Sequence, residues 1–294
     1  MFRGIDYKNL SILSKILFVI KGKFLAFIIK HGSNKIFCFF INIFYSKHGK
    51  INSIKNMFEF QKNNKKFYYP NRRVLRVVNG YQIKFNLILE SYCLKSINFE
   101  ENDWIIDCGA NVGEINLALK EKNININYIA FEPDHETYEC LKLNNVESKD
   151  LYNLGLSNQN MQRNLYVDND GGNTSFLDFG SNNSKMVESK TLDSFDFKQR
   201  IKLLKIDAEG FEPEVLEGSF NTLKNVEFVS VDFGAERGVN QETTLVNVNN
   251  ILLDASEMPI IITVALHIYH IVLYYNSLRF DDWLHHILMI FILN

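Results

Sequence analysis

The sequence predicts an α/β fold: a parallel sheet with helices on both faces, preceded by a helical extension and followed by an apolar tail of different character. Three observations point to it. From Asp103 onward, apolar runs of strand length alternate with segments of helical period. The turn Asp107-Cys108-Gly109-Ala110-Asn111-Val112-Gly113 follows the first of those strands and opens a helix. Glu132 and Asp207 end later strands, and ligands in such sheets bind beyond the carboxyl ends of the strands. Together these describe a Rossmann-like sheet.

The 294 residues, 46% apolar and 22% charged, suit a globular protein of one large domain or two small ones. Three segments are expected: a basic, apolar helical extension over 1–69, the α/β domain over 70–254, and an atypical apolar, His-containing tail over 255–294. Residues 1–55 hold ten Lys or Arg against one acid, Asp6, a net +9, which leaves −11 for the rest. Their apolar patches at 16–20, 24–29 and 36–45 are each too short to span a bilayer, which takes about 20 residues. Two readings stand: amphipathic helices on a membrane surface with Lys21, Lys23, Lys30 and Lys35 at the headgroups, or a helical cap packed on the core.

Residues 56–70 read as a polar connector ending at Pro70. Asn79-Gly80 between the apolar runs 74–78 and 82–87 predicts a hairpin, because both residues tolerate positive φ. A short helix is expected over 88–99. Then come a strand at 104–106, a helix at 113–122, a strand at 128–131, a helix at 134–146 and a strand ending near Leu156. A polar, Gly- and Asn-rich excursion fills 168–184. A strand at 201–206, a helix after Pro213 and a strand at 226–232 follow. No repeat of solenoid period is present. Cys38, Cys93, Cys108 and Cys140 form no Cys-x-x-Cys pair, and no secretory signal is visible, so a reducing, cytoplasmic setting is expected. The core has no basic stripe interleaved with aromatics, which argues against a nucleic-acid substrate.

In the Gly-bearing turn, Gly109 allows a tight bend and Gly113 a close approach of helix to strand. Asn111 stands where nucleotide loops often carry a middle glycine, and Asn tolerates the left-handed region. Glu132, 23 residues after Gly109, is placed to accept two ribose hydroxyls of an adenosine. NAD would put a pyrophosphate over the loop, where Asp107 would repel it. S-adenosylmethionine has no phosphate and carries a sulfonium and an ammonium, so the charge pattern favours it. In the run 204–212, Leu-Lys-Ile-Asp-Ala-Glu-Gly-Phe-Glu, Asp207 ends a strand and Glu209 lies in the turn beyond. These two carboxylates could orient the methyl donor, deprotonate an acceptor hydroxyl or bind a cation.

The run 107–113, Phe131-Glu132-Pro133, the 205–218 run Lys-Ile-Asp-x-Glu-Gly-x-Glu-x-x-Val-Leu-x-Gly, Asn-Leu-Gly-Leu-Ser at 153–157 and Gly-Asn-Thr-Ser at 172–175 resemble the FkbM-family methyltransferases over about 70–253. That family is similar to class I methyltransferases and associated with O-methylation, often of sugar or polyketide hydroxyls. The resemblance implies S-adenosylmethionine held by Asp107, Gly109, Ala110, Asn111, Gly113, Glu132 and Ser157. It puts Asp207 and Glu209 at the reaction centre, one of them as general base, since His135 more naturally begins a helix. The implied acceptor is a small molecule or carbohydrate.

After Asp254 the family pattern stops, and the tail matches poorly the two strands that would complete the sheet. Residues 259–275 hold no formal charge. They read as a membrane anchor at the lower length limit, or, with His267, His270, Asp281, Asp282, His285 and His286, as a metal site, or as a foreign tail joined by fusion or a rearranged reading frame. Without the last strands the sheet would keep an exposed edge. The rival to an enzyme is a non-catalytic protein that keeps the fold and meets a membrane through 1–55 and 259–293.

Overall fold

A computed structural model describes residues 11–45, 47–168, 174–255, 261–265 and 270–274. Helices α1 (Ile12–His31) and α2 (Asn34–Tyr45) come first, and strands β1 (Lys50–Ile54), β2 (Met57–Lys62) and β3 (Lys65–Tyr69) form an antiparallel meander. A 3-10 turn (Arg72–Arg76) leads into α3 (Tyr81–Ser91). The main sheet then begins: β4 (Trp104–Cys108), α4 (Glu114–Lys120), β5 (Asn127–Phe131), α5 (His135–Asn144) and β6 (Asp150–Tyr152). A side sheet of β7 (Gly155–Leu156), β8 (Met161–Tyr166) and β9 (Ser184–Lys190) follows. The chain returns through β10 (Ile201–Ile206), α6 (Glu212–Glu217), α7 (Phe220–Leu223) and β11 (Val226–Asp232). The small pair β12 (Ala235–Arg237) and β13 (Glu242–Thr243), helix α8 (Leu245–Ala255), and strands β14 (Ile261–Ala265) and β15 (His270–Tyr274) complete it.

The seven strands of the main sheet run β15-β14-β11-β10-β4-β5-β6, parallel except for β15. From β4 the chain builds outward first through β5 and β6, then on the other side through β10 and β11. The order therefore reverses between β4 and β10, and such a switch point is where open parallel sheets bind ligands.

Strand periodicity divides the core in two. Ile105, Tyr128, Ala130 and Leu203 point to one face and join a cluster with α3, the meander and the two N-terminal helices. Ile106, Ile129, Phe131, Leu204, Val229 and Val231 point to the other face, against α6 and α8. Asp107 and Lys205 keep step with Ile105 and Leu203, so both face the side that α3 covers.

Four expectations change. Residues 50–69 are not a helical extension ending in a connector: Phe58, Phe60, Phe67 and Tyr69 are buried in a meander whose first two turns use positive φ at Lys55 and Asn63. The Asn79-Gly80 hairpin is absent. Gly80 has φ 123° but precedes a helix, because Tyr81, Phe85, Ile88 and Leu89 recur at helical spacing and bury one face. The helix expected over 88–99 is only the end of α3 and a 3-10 turn, Leu94–Ser96. The tail does add strands: β14 pairs with β11 and β15 with β14, so β11 is no edge. His267, His285, His286, Asp281 and Asp282 lie outside the described residues.

The helical-cap reading of the N-terminus describes what is seen, since Leu25, Ile28, Phe37, Cys38 and Ile41 sit in the core cluster. The opposite face of α1 leaves Ile12, Leu13, Ile16, Leu17, Ile20 and Phe27 exposed. No helix among the described residues is long and apolar enough to cross a membrane.

Candidate functional site

The ends of β4, β5, β10 and β11 open into a cavity of about 790 Å³. Its floor is set by the register of the switch-point strands, which pairs Asp107 directly with Lys205. Asp107 is 1% exposed and Lys205 2%. Lys205 Nζ donates to the carbonyls of Gly109 (2.8 Å) and Cys108 (3.1 Å) and stands 3.0 Å from Asp107 Oδ1, while Asp107 Oδ2 accepts from the Tyr128 hydroxyl at 2.6 Å. Burial acts to lower the Lys205 pKa, but Asp107 and Asp207 outweigh it and the ammonium is held above its ordinary range. The lysine thus fixes the carbonyls that begin the Gly-bearing loop.

The loop itself is held from the other side by β5. The N–H groups of Gly109 and Ala110 both donate to Phe131 O, at 3.1 and 3.0 Å. Gly109 takes φ 69°, and a Cβ there would lie 1.8 Å from Asp207 O, so the loop passes directly over the end of β10. Asn111 is left-handed at φ 52°, as its residue type permits. Gly113, φ 78°, serves a different contact from the one expected: a Cβ would strike Leu141 and Asn145, so it lets the start of α4 meet the end of α5, not a strand.

Glu132, 7% exposed, follows β5. Its Oε2 accepts from Asn111 N and its Oε1 from Asp134 N, each at 2.9 Å. Burial pushes this carboxyl up to about 7, and Asp134 adds to the rise against the backbone donors and Lys205. Each oxygen keeps a further lone pair.

Beyond β10 and β11 lies a group of acids. The Tyr92 hydroxyl donates to Asp207 Oδ2, and Lys205 Nζ is 3.8 Å from the same atom. Glu209 has φ 50° and, like Glu236, lines the cavity. Asp232, 8% exposed, also lines it. Burial first, then the charges of Asp207 and Glu236, raise the Glu209 and Asp232 carboxyls well above their ordinary range. Asp232 Oδ1 is a buried acceptor with no hydrogen-bond donor, whereas Asp107 Oδ1 is held by the Lys205 ammonium.

Of the residues singled out in the sequence, Asp107, Gly109, Ala110, Asn111, Glu132, Asp207 and Glu209 share this cavity. Gly113 supports it from behind. Ser157 does not line it: the residue is fully buried in the side sheet, with its N–H on Lys190 O and its own carbonyl packed on Gly218. Thr174 and Ser175 do line the cavity, and Ser175 Oγ donates to Glu209 O at 2.8 Å. Gly172 and Asn173 fall outside the described residues. Sequence reasoning missed Tyr92, Lys205, Asp232 and the arginines of the 3-10 turn. Asp232 was findable, since it ends a predicted strand at the same sheet edge as Asp207.

The family model for the methyltransferase FkbM domain matches residues 107–255, half of the chain. The chain belongs to the FkbM methyltransferase family. The FkbM match begins at the buried Asp107 and runs through every acid of the cavity floor. Methyltransferase 1 of Beauveria bassiana is 27% identical over 154 residues, 43% of this chain and 62% of that protein. The hexuronic acid methyltransferase AglP of Haloferax volcanii is 28% identical over 166 residues, 55% of this chain and 65% of that protein. The chain thus spans less than two thirds of either relative's length. Among solved structures, precorrin-6y C5,15-methyltransferase of Geobacter metallireducens superposes at TM-score 0.34 and 11% identity, over 66% of this chain and 84% of that one.

Proposed function

We propose that this FkbM-family chain is an S-adenosylmethionine-dependent O-methyltransferase acting on a hydroxyl of a sugar or related metabolite. The observation that carries the reading is a cavity floor of buried acids, Asp232 Oδ1 among them without a donor, beside a Glu132 whose two oxygens are aimed by backbone N–H groups. The donor fits these residues. Its ammonium and sulfonium are cations, and the acids that line the cavity include Asp232, whose Oδ1 is a buried acceptor lacking a donor. A pyrophosphate would meet Asp107 and also Glu114 in the first turn of α4. The volume, about 790 Å³, has room for donor and acceptor together.

Glu132 would hold the ribose, and Asp107 with the Gly109–Asn111 backbone the amino-acid end. Bound there, S-adenosylmethionine supplies an electrophilic methyl group. The residues of the chain must then orient a hydroxyl and accept its proton. Asp207, Glu209 and Asp232 form one carboxyl cluster, in which burial, then the charges of Asp207 and Glu236, raise the proton affinity of Glu209 and Asp232. Lys205 and Tyr92 orient Asp207 within it. A sugar acceptor is supported by the AglP relative, whose name specifies a hexuronic acid.

The Glu132 carboxyl gives a direct test. With its pKa near 7 in the free protein, it is protonated below that pH. Ribose hydroxyls donate to the ionised form, so binding releases the proton and affinity rises with pH until the group is ionised unaided. Calorimetric titration with S-adenosylhomocysteine should show affinity increasing about tenfold from pH 6 to pH 8 and levelling beyond. A pH-independent Kd would contradict the assignment of Glu132.

A second reading concerns location. The exposed apolar residues of α1 lie among Lys23, Lys30 and Lys35, all exposed, and this basic, apolar surface suits an anionic bilayer. The protein is expected to sediment with phosphatidylserine-containing vesicles and not with pure phosphatidylcholine, and Lys23→Glu with Lys30→Glu should release it. Equal sedimentation with both vesicle types would count against membrane docking.

A further inference from the structure

The acids of the cavity have a counterpart on its opposite wall. Asn71 caps the 3-10 turn Arg72–Arg76, accepting from Arg73 N at 2.9 Å, and Val74 and Val77 anchor it in the core. A 3-10 helix has three residues per turn, so side chains at i and i+3 lie one above the other. Arg73 and Arg76 share such a face and both line the cavity. Arg72, off that face, is committed elsewhere: its guanidinium donates to the carbonyls of Ile28 and Gly32 and lies over the Phe37 ring.

Among the described residues, neither the Arg73 nor the Arg76 guanidinium has a hydrogen bond or an ion pair. Lys84, on the same wall, is 3.7 Å from Glu114, whose other oxygen accepts from Tyr69. Glu114 therefore already has its partners. Burial, together with the neighbouring Arg76, lowers the Arg73 pKa against the pull of Glu114, Glu209 and Asp207, so the half-buried Arg73 and the exposed Arg76 repel each other. Guanidinium pairs of this kind bind planar or tetrahedral oxyanions through forked hydrogen bonds.

We propose that Arg73 and Arg76 form an oxyanion subsite of the acceptor, so that the substrate carries a carboxylate or a phosphate as well as the hydroxyl to be methylated. The cavity then has two poles: an acidic floor for the cationic methyl donor and a basic wall for the anionic acceptor. The wall precedes residues 107–255, where the family match lies, so it would set the specificity of this chain rather than the chemistry of the fold. The inference rests on the acceptor site proposed above.

The test is calorimetric titration of the full chain with D-glucuronate, glucose 6-phosphate and glucose, each with and without saturating S-adenosylhomocysteine. At least one anion should bind about tenfold or more tighter than glucose, and the carboxylate and phosphate arms say which oxyanion is preferred. The double variant Arg73→Gln, Arg76→Gln should erase that advantage and leave S-adenosylhomocysteine affinity unchanged. Arg200→Gln, an arginine remote from the cavity lining, should change neither. Equal affinity for all three sugars, or no binding of either anion, overturns the proposal. So does a double variant that loses S-adenosylhomocysteine instead, since the pair would then hold the donor's own carboxylate. If the wild type binds no S-adenosylhomocysteine, the methyltransferase reading fails, and the titrations made without it still decide whether an oxyanion site exists.

Discussion

Replacing Lys205 with Met is expected to cost about 3–5 kcal/mol of folding stability, the usual penalty for removing one partner of a buried ion pair. The variant leaves Asp107, 1% exposed, with the Tyr128 hydroxyl alone, and frees the carbonyls of Cys108 and Gly109 that the ammonium had satisfied. Because those carbonyls begin the loop, donor affinity should fall together with stability. Urea unfolding gives the first quantity and calorimetry the second. Lys198→Met, at an exposed lysine, is the control and should stay within about 0.5 kcal/mol. A loss for Lys205→Met below about 1 kcal/mol would mean that water reaches this pair in solution.

Asp207→Asn should lower methyl transfer by about 10²- to 10⁴-fold, the range for loss of a proton acceptor, with S-adenosylhomocysteine affinity kept within a few-fold. The variant also removes a negative charge that helps to raise Glu209 and Asp232. Removing it favours ionisation of both, so the acid limb of the pH-rate profile should move to lower pH in the activity that remains. Tyr92→Phe, which deletes the hydroxyl on Asp207, should give a smaller loss of kcat in the same direction. Full turnover in Asp207→Asn with intact binding would remove Asp207 from the catalytic group.

The parts of this fold most legible in the sequence are those with two-sided burial. Strands β4, β5, β10 and β11 are buried on both faces, so each reads as an apolar run, and the polar residues that end them stand out. Positive φ at Gly109, Asn111 and Gly113 was implied by residue type. The meander of 50–69 was hidden because its lysines and asparagines dilute the alternation, and because Glu59 is buried on the strand, paired with Lys66 across it. Asn79-Gly80 misled because a left-handed glycine can begin a helix as well as a hairpin turn. The period of Tyr81, Phe85, Ile88 and Leu89 was the better guide. Lys205 looks like a solvated residue in a strand until the register sets it against Asp107. Tyr92 reaches Asp207 from 115 residues away in the chain, and no local pattern announces such a contact.

The central claim is that the cavity at the β4–β10 switch point binds S-adenosylmethionine through Glu132. Calorimetric titration of the purified full chain with S-adenosylmethionine and, separately, with NAD tests it most directly. S-adenosylmethionine should bind with micromolar affinity and NAD not at all, and the signal should be lost in a folded Glu132→Ala variant. Tight NAD binding, or S-adenosylmethionine binding that survives Glu132→Ala, would contradict it.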